Sequence, residues 1–146
     1  MADIPNSQIL ERLFKEVAAD TPKFPRMSND YYVQYSNFVN ALRRDIYPGV
    51  DAGLAANSAI SGYYTAHNAE HFDEVVRYAG DLLGASTTEG VSKDVLTPYE
   101  LYILLVAIRV HDVGNIEGRE DHEKKWAVAG AECNTVIELK LEHHAA

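Results

Sequence analysis

Apolar residues recur at three- and four-residue steps along most of the chain, the spacing that places them on one face of an α-helix. The pattern predicts helices over about residues 6–20, from Ser28 to just before Tyr47-Pro48-Gly49, over 67–83, from Pro98 to about 110, and from about 119 onwards. No alternation of apolar and polar residues is long enough to predict a strand. We therefore expect an all-α fold, a bundle of about five to six helices.

The first three of these helices each have a predicted inner face. In the second helix this face is rich in tyrosine, and we expect it to be core rather than a surface for stacking bases. The three faces are Ile9, Leu10, Leu13, Phe14, Val17 and Ala18; then Tyr31, Tyr32, Tyr35, Phe38, Val39 and Leu42; then Phe72, Val75, Val76, Ala79, Leu82 and Leu83.

Helix ends are predicted from capping residues. Thr97-Pro98-Tyr99-Glu100 combines a capping threonine, a proline at the first helical position and a glutamate that closes a capping box. Residues 101–110 are apolar apart from Arg109, so we expect this helix to be buried on all sides. Ser28 is the predicted cap of the second helix. Gly53 falls in a predicted connector, and glycines at 84 and 114 are placed to end helices.

Composition limits the partners and the possible metal ligands. The 146 residues carry 13 basic and 22 acidic side chains, a net charge of −9 that disfavours general nucleic-acid binding and attraction to anionic membranes. The N-terminus has neither a basic nor an apolar signal region, and we expect a cytoplasmic protein. The single cysteine, Cys133, excludes four-cysteine zinc sites. A metal would therefore need histidine and carboxylate ligands.

Histidines are concentrated in three segments predicted to be helical. His67 and His71 lie four residues apart and so share a helix face, His111-Asp112 ends the apolar helix, and His122 begins the last helix. Consecutive helical residues point about 100° apart, so His111 and Asp112 can reach one ion only near a helix end. A buried His-Asp hydrogen-bonded pair is the alternative for that doublet.

The segment from His67 to His71 also matches the His-x-x-Glu-His pattern of inverzincin metallopeptidases, with Glu70 as the base. That family has a mixed α+β fold and a further glutamate ligand far downstream. A chain without predicted strands disfavours this interpretation.

Three longer segments resemble the HD-domain superfamily of metal-dependent phosphohydrolases. Residues 71–79, HFDEVVRYA, resemble its first-histidine helix, and residues 104–114, LLVAIRVHDVG, resemble its His-Asp doublet with an apolar lead-in. Residues 118–123, GREDHE, resemble a downstream histidine segment of some members. The resemblance covers roughly residues 63–130.

The resemblance implies a helical phosphohydrolase that holds one or two divalent ions (Mn, Fe, Zn, Ni, Co or Mg) and acts on a phosphorylated small molecule or nucleotide. His71, His111 and Asp112 correspond to metal ligands, and Asp112 would bridge two ions. His122 corresponds to a second-metal ligand or a donor to the substrate phosphate, so that Asp112 and His122 are the implied catalytic residues. Arg119 is a candidate phosphate contact, with a solvated arginine as the alternative. His67 is a candidate outer-sphere residue or phosphate contact, and it is the alternative to His71 as the first ligand.

The chain departs from the superfamily pattern in one respect. A further aspartate is expected several tens of residues after the doublet, whereas Asp121 lies too close to Asp112 to take that role. We expect an N-terminal helical extension over 1–60, an incomplete HD-like domain over 61–140, and tag residues over 141–146. An apolar face left exposed by missing helices would favour a homodimer. The alternative function is a non-catalytic helical sensor or interaction module.

Overall fold

The computed structural model describes residue 4 and residues 8–57, 69–84 and 95–114, and every regular element in these residues is helical. The predicted all-α class is confirmed. No helix within these residues is both long and apolar enough to cross a membrane. The elements are α1 (Ile9–Val17), a 3₁₀ turn (Thr21–Lys23), α2 (Tyr31–Ala41), a π-helix (Leu42–Ile46), α3 (Tyr47–Asn57), α4 (Ala69–Leu82) and α5 (Pro98–Val110).

The chain divides into two compact units, each defined by the contacts between its own residues. The first comprises residues 1–40 and 70–109, and the second comprises residues 41–69 and 110–146. The first unit therefore contains α1, nearly all of α2 and α4, and α5 as far as Arg109.

The core of the first unit is largely aromatic. Phe14 of α1 is fully buried and meets the ring of Tyr35 edge-on, with 5.6 Å between centroids. Phe24 stacks on Tyr31 at 4.4 Å, and Tyr31 meets Tyr102 of α5 edge-on at 5.1 Å. Such ring pairs add roughly 0.5–1.5 kcal/mol each beyond the area that they bury. The tyrosines of α2 are core residues, as predicted.

Two residues of the predicted inner faces are exposed to solvent. Ile9 is 54% exposed because it lies in the first turn of α1, on the side away from Leu10 and Phe14. Leu82 is 88% exposed in the last turn of α4. The prediction that these two side chains are buried is wrong.

The start of α2 also differs from the prediction. Asp30, rather than Ser28, is the capping residue, because its Oδ1 accepts a hydrogen bond from the backbone N–H of Val33 at 2.9 Å. Helix α2 therefore begins at Tyr31. An aspartate here also suits the positive end of the helix dipole.

In the second unit, helical backbone continues through the Pro48-Gly49 pair at which a helix end was predicted. The N–H of Tyr47 donates to the carbonyl of Leu42, five residues earlier, which is the wide spacing of a π-helix. Pro48 then lies in the first turn of α3, where a missing N–H costs little. Gly53 consequently lies inside α3 rather than in a connector.

Candidate metal centre

The His-Asp doublet lies immediately after the C-terminal end of α5. The helix ends at Val110, and His111 and Asp112 form a turn before Gly114. The Nε2 atom of His111 lies 3.2 Å from Oδ2 of Asp112, and their side chains are 37% and 17% exposed. The turn therefore allows two consecutive side chains to converge, as the predicted position at a helix end requires.

His71 lies in the first turn of α4, which begins at Ala69. Its side chain is half-buried, and its ring meets that of Phe72 edge-on, with 5.7 Å between centroids. Phe72 is fully buried and anchors this turn in the core. The buried ring of Phe72 therefore packs against the imidazole of His71.

Three potential ligand atoms come together at these two helix ends. One atom from each of His71, His111 and Asp112 lies within 4.8 Å of the other two. Two imidazole nitrogens and one carboxylate oxygen form a donor set that suits Mn, Fe, Zn, Ni or Co. The residues brought together are those that the resemblance implied as ligands.

An ion pair inside the first unit joins α4 to the last turn of α5. Nη1 of Arg109 donates to Oδ1 of Asp73 at 2.7 Å. Asp73 is two residues after His71, and Arg109 is two residues before His111. Since a helix rises about 1.5 Å per residue, His71 lies about 3 Å along the axis of α4 from Asp73, and His111 follows the last residue of α5.

Arg109 is the functional-site neighbour that the sequence pattern did not identify. Its side chain is fully buried, although α5 is not buried on all sides as predicted: Ile103 is 49% exposed and Ala107 is also exposed. The only available indication was one arginine in an otherwise apolar helix, just before the doublet. The buried charge at this helix end is thus Arg109, whereas His111 is exposed.

Several predicted residues lie outside the described residues. These include His67, Arg119 and His122, together with the helix predicted from about 119 and the expected tag at 141–146. Glu70, the base of the metallopeptidase alternative, is exposed on α4. The described residues contain no strand of the kind that the alternative family requires.

Comparison with known proteins identifies a family for this chain. Residues 61–145, more than half of the chain, match the family described as HD-CE. The chain belongs to the HD-CE family. The HD-CE region includes His71, His111 and Asp112, and an HD-type domain favours metal binding at such a group. Neither the curated proteins nor the solved structures contain a match to this chain.

Proposed function

We propose that this HD-CE protein is a metal-dependent phosphohydrolase of the HD superfamily, with His71, His111 and Asp112 as ligands of a divalent ion. The observation that carries the proposal is the convergence of one ligand atom from each of these residues within 4.8 Å. The family match over residues 61–145 supports it, because the three residues lie in the matched region.

The donor atoms fit a transition-metal ion better than calcium, which prefers six to eight oxygen ligands. Mn, Fe, Zn, Ni, Co and Mg are the candidates. When bound, such an ion supplies a nucleophilic water at neutral pH and neutralises charge on phosphoryl oxygens. Asp112 would also be the bridging ligand if a second ion binds.

The proposed metal site is accessible to a substrate from solvent. His111 is 37% exposed, so a ligand can approach it from solvent. The proposed substrate is a phosphorylated small molecule or a nucleotide. A chain with a net charge of −9 needs local positive charge to accept a phosphate, and a bound cation reverses the field over a few ångströms.

Arg109 is unsuited to supply that charge directly. Its side chain is fully buried and bonded to Glu11 and Asp73, so no substrate oxygen can reach it. We propose Arg119 as a phosphate contact, His122 as a second-metal ligand or phosphate donor, and His67 as an outer-sphere residue. These three positions lie outside the described residues.

The proposal is tested by measuring metal binding and hydrolysis together. Purified protein is titrated with Co²⁺ while its visible absorption is recorded, and hydrolysis of a generic phosphomonoester and phosphodiester is assayed with Mn²⁺ or Co²⁺. We expect His111→Ala and Asp112→Asn each to weaken Co²⁺ binding by at least about 100-fold, because loss of a ligand exceeds the 10–100-fold effect of losing an outer-sphere partner. Hydrolysis should fall in parallel.

Asp81→Asn is the matched control, because Asp81 is a carboxylate of α4 that forms an ion pair with the exposed Arg77. It should leave metal affinity and hydrolysis unchanged. A wild-type chain that binds Co²⁺ through these residues but hydrolyses no phosphate ester would instead support the non-catalytic sensor or interaction module. A chain that binds no divalent ion would contradict the proposal.

A further inference from the structure

A network of buried polar groups surrounds the guanidinium of Arg109. Its Nη2 donates to Oε1 of Glu11 at 2.5 Å, its Nε donates to the hydroxyl of Tyr35 at 3.2 Å, and its Nη1 donates to Asp73 at 2.7 Å. The side chains of Arg109 and Glu11 are fully buried, and that of Asp73 is 17% exposed. The three partners lie on α1, α2 and α4.

The partners also bind one another, which fixes their orientation. The hydroxyl of Tyr35 donates to Oε1 of Glu11 at 2.7 Å, and Oε2 of Glu11 accepts the backbone N–H of Gln8 at 3.0 Å. Burial raises the pKa of Tyr35 well above its usual value, so its hydroxyl remains a donor. Burial acts to lower the pKa of Arg109, but the oxygens of Tyr35 and Glu11 outweigh it and the guanidinium stays charged.

The network lies beside both histidines of the proposed metal site. Asp73 follows His71 by two residues on α4, and Arg109 precedes His111 by two residues at the end of α5. All four groups of the network belong to the first contact unit. A displacement of the guanidinium would therefore disturb the hydrogen-bonded partner that follows His71 on α4 and the last turn of α5, after which His111 and Asp112 lie.

We propose that Arg109 is a positioning residue for the metal site and that Glu11 and Tyr35, which precede the family-matched region, make α1 and α2 functional parts of that site. This inference rests on the proposed function for its metal ligands. Groups that orient metal ligands without touching the ion typically change metal affinity by about 10–100-fold. A network that only stabilises the fold would leave the affinity of the folded protein unchanged.

Two variants remove single contacts and keep the packing. Tyr35→Phe deletes the hydroxyl that joins Glu11 to Arg109, and Asp73→Asn removes the charge that pairs with Nη1 of Arg109. Tyr31→Phe is the matched control for the first, because the Tyr31 hydroxyl accepts a hydrogen bond from the N–H of Arg26 at 3.3 Å. Asp81→Asn is the control for the second, because its exposed ion pair lies on the same helix.

Two measurements are made on the complete chain. Co²⁺ affinity is measured by absorption titration, and amide hydrogen exchange is measured without metal at residues 70–74 and 108–112. We expect Tyr35→Phe and Asp73→Asn to weaken Co²⁺ binding by about 10-fold and each control by less than about 2-fold. Exchange at the two helix ends should accelerate in the two network variants and remain at the wild-type rate in the controls. Unfolding curves verify that all four variants are folded under the assay conditions.

The inference is overturned if the network variants bind Co²⁺ as tightly as the controls, or if exchange at the two helix ends is unchanged. A wild-type chain that binds no Co²⁺ contradicts the proposed function instead. In that case the exchange rates of the metal-free protein alone decide whether Arg109 positions the two helix ends. The two failures are therefore distinguishable.

Discussion

At its N-terminal end, α5 is held by residues adjacent in the sequence, whereas near its C-terminal end it is held by residues from distant parts of the chain. The backbone N–H of Thr97 donates to Oε2 of Glu100 at 2.8 Å, and the N–H of Glu100 donates to Oγ1 of Thr97 at 3.2 Å. Near the other end, Arg109 bonds Glu11, which is 98 residues away.

The two ends also differ in their exposure to water. Thr97 and Glu100 are exposed, so water can replace each hydrogen bond that is lost. Arg109 and Glu11 are fully buried, and a partner left behind there stays desolvated. The end of α5 nearest the proposed metal site is therefore the end at which a single substitution should cost most.

The largest expected loss in the free energy of unfolding is that of Arg109→Met. The substitution keeps much of the side-chain volume but leaves the carboxylate of Glu11 buried without its cation. Breaking a buried pair in this way typically costs about 3–5 kcal/mol. The measurement is the free energy of unfolding from urea denaturation monitored by circular dichroism.

Arg77→Met is the matched control, because Arg77 pairs with Asp81 at 3.2 Å while both side chains are 40% or more exposed. An exposed pair of this kind contributes roughly 0.2–1 kcal/mol. Combining Arg109→Met with Glu11→Met should recover part of the lost stability, because the fully buried carboxylate is then removed and only Asp73, whose side chain is 17% exposed, keeps a charge that paired with Arg109. A loss no greater for Arg109→Met than for Arg77→Met would contradict the contrast between the two regions.

The sequence predicted those features that depend on neighbouring residues. The Thr97–Glu100 capping box is present, and Gly84 follows α4 with a φ of 97°, a conformation that favours glycine. The cap of α2 was predicted two residues too early, since Asp30 and Ser28 have similar capping chemistry. Pro48 predicted a break, but a π-helix precedes it and helical backbone continues.

Pairing between distant residues could not be predicted from these patterns. Periodicity assigns residues to faces of one helix, but it does not state which faces of two helices meet. Glu11 could equally have served only as the capping-box residue of α1, and a lone arginine in α5 does not identify its partner. His71, His111 and Asp112 were predicted as metal ligands because their segments resemble a known superfamily, whereas the Arg109–Asp73 pair that joins α4 to α5 was not predicted.

A smaller loss in the free energy of unfolding is expected for Thr97→Ala at the other end of α5. The substitution removes the side-chain oxygen that accepts the N–H of Glu100, so one N-terminal amide of the helix loses its partner. Loss of such a cap costs about 1 kcal/mol. Urea denaturation measures it, and Thr97→Ser, which keeps the hydroxyl, should stay close to wild type. A loss equal to that of Arg109→Met would show that exposed and buried contacts hold α5 equally.

The smallest change in the free energy of unfolding is expected for Glu100→Gln, and this change should depend on pH. The carboxylate of Glu100 accepts hydrogen bonds from the backbone N–H and then from the hydroxyl of Thr97, and both lower its pKa below the ordinary 4.5. Because the folded-state pKa is the lower one, the charged cap stabilises the protein fully above the ordinary pKa, and the stabilisation is lost as the pH falls through the folded-state value.

The difference in unfolding free energy between wild type and Glu100→Gln should therefore be constant near neutral pH and should shrink as the pH falls below about 4.5. Urea denaturation at a series of pH values measures it. In a Thr97→Ala background only part of this pH dependence should disappear, because the backbone N–H of residue 97 still donates to the carboxylate. A difference that stays constant down to about pH 3 would mean that the charge of Glu100 does not stabilise the start of α5, in contrast to the buried guanidinium near its other end.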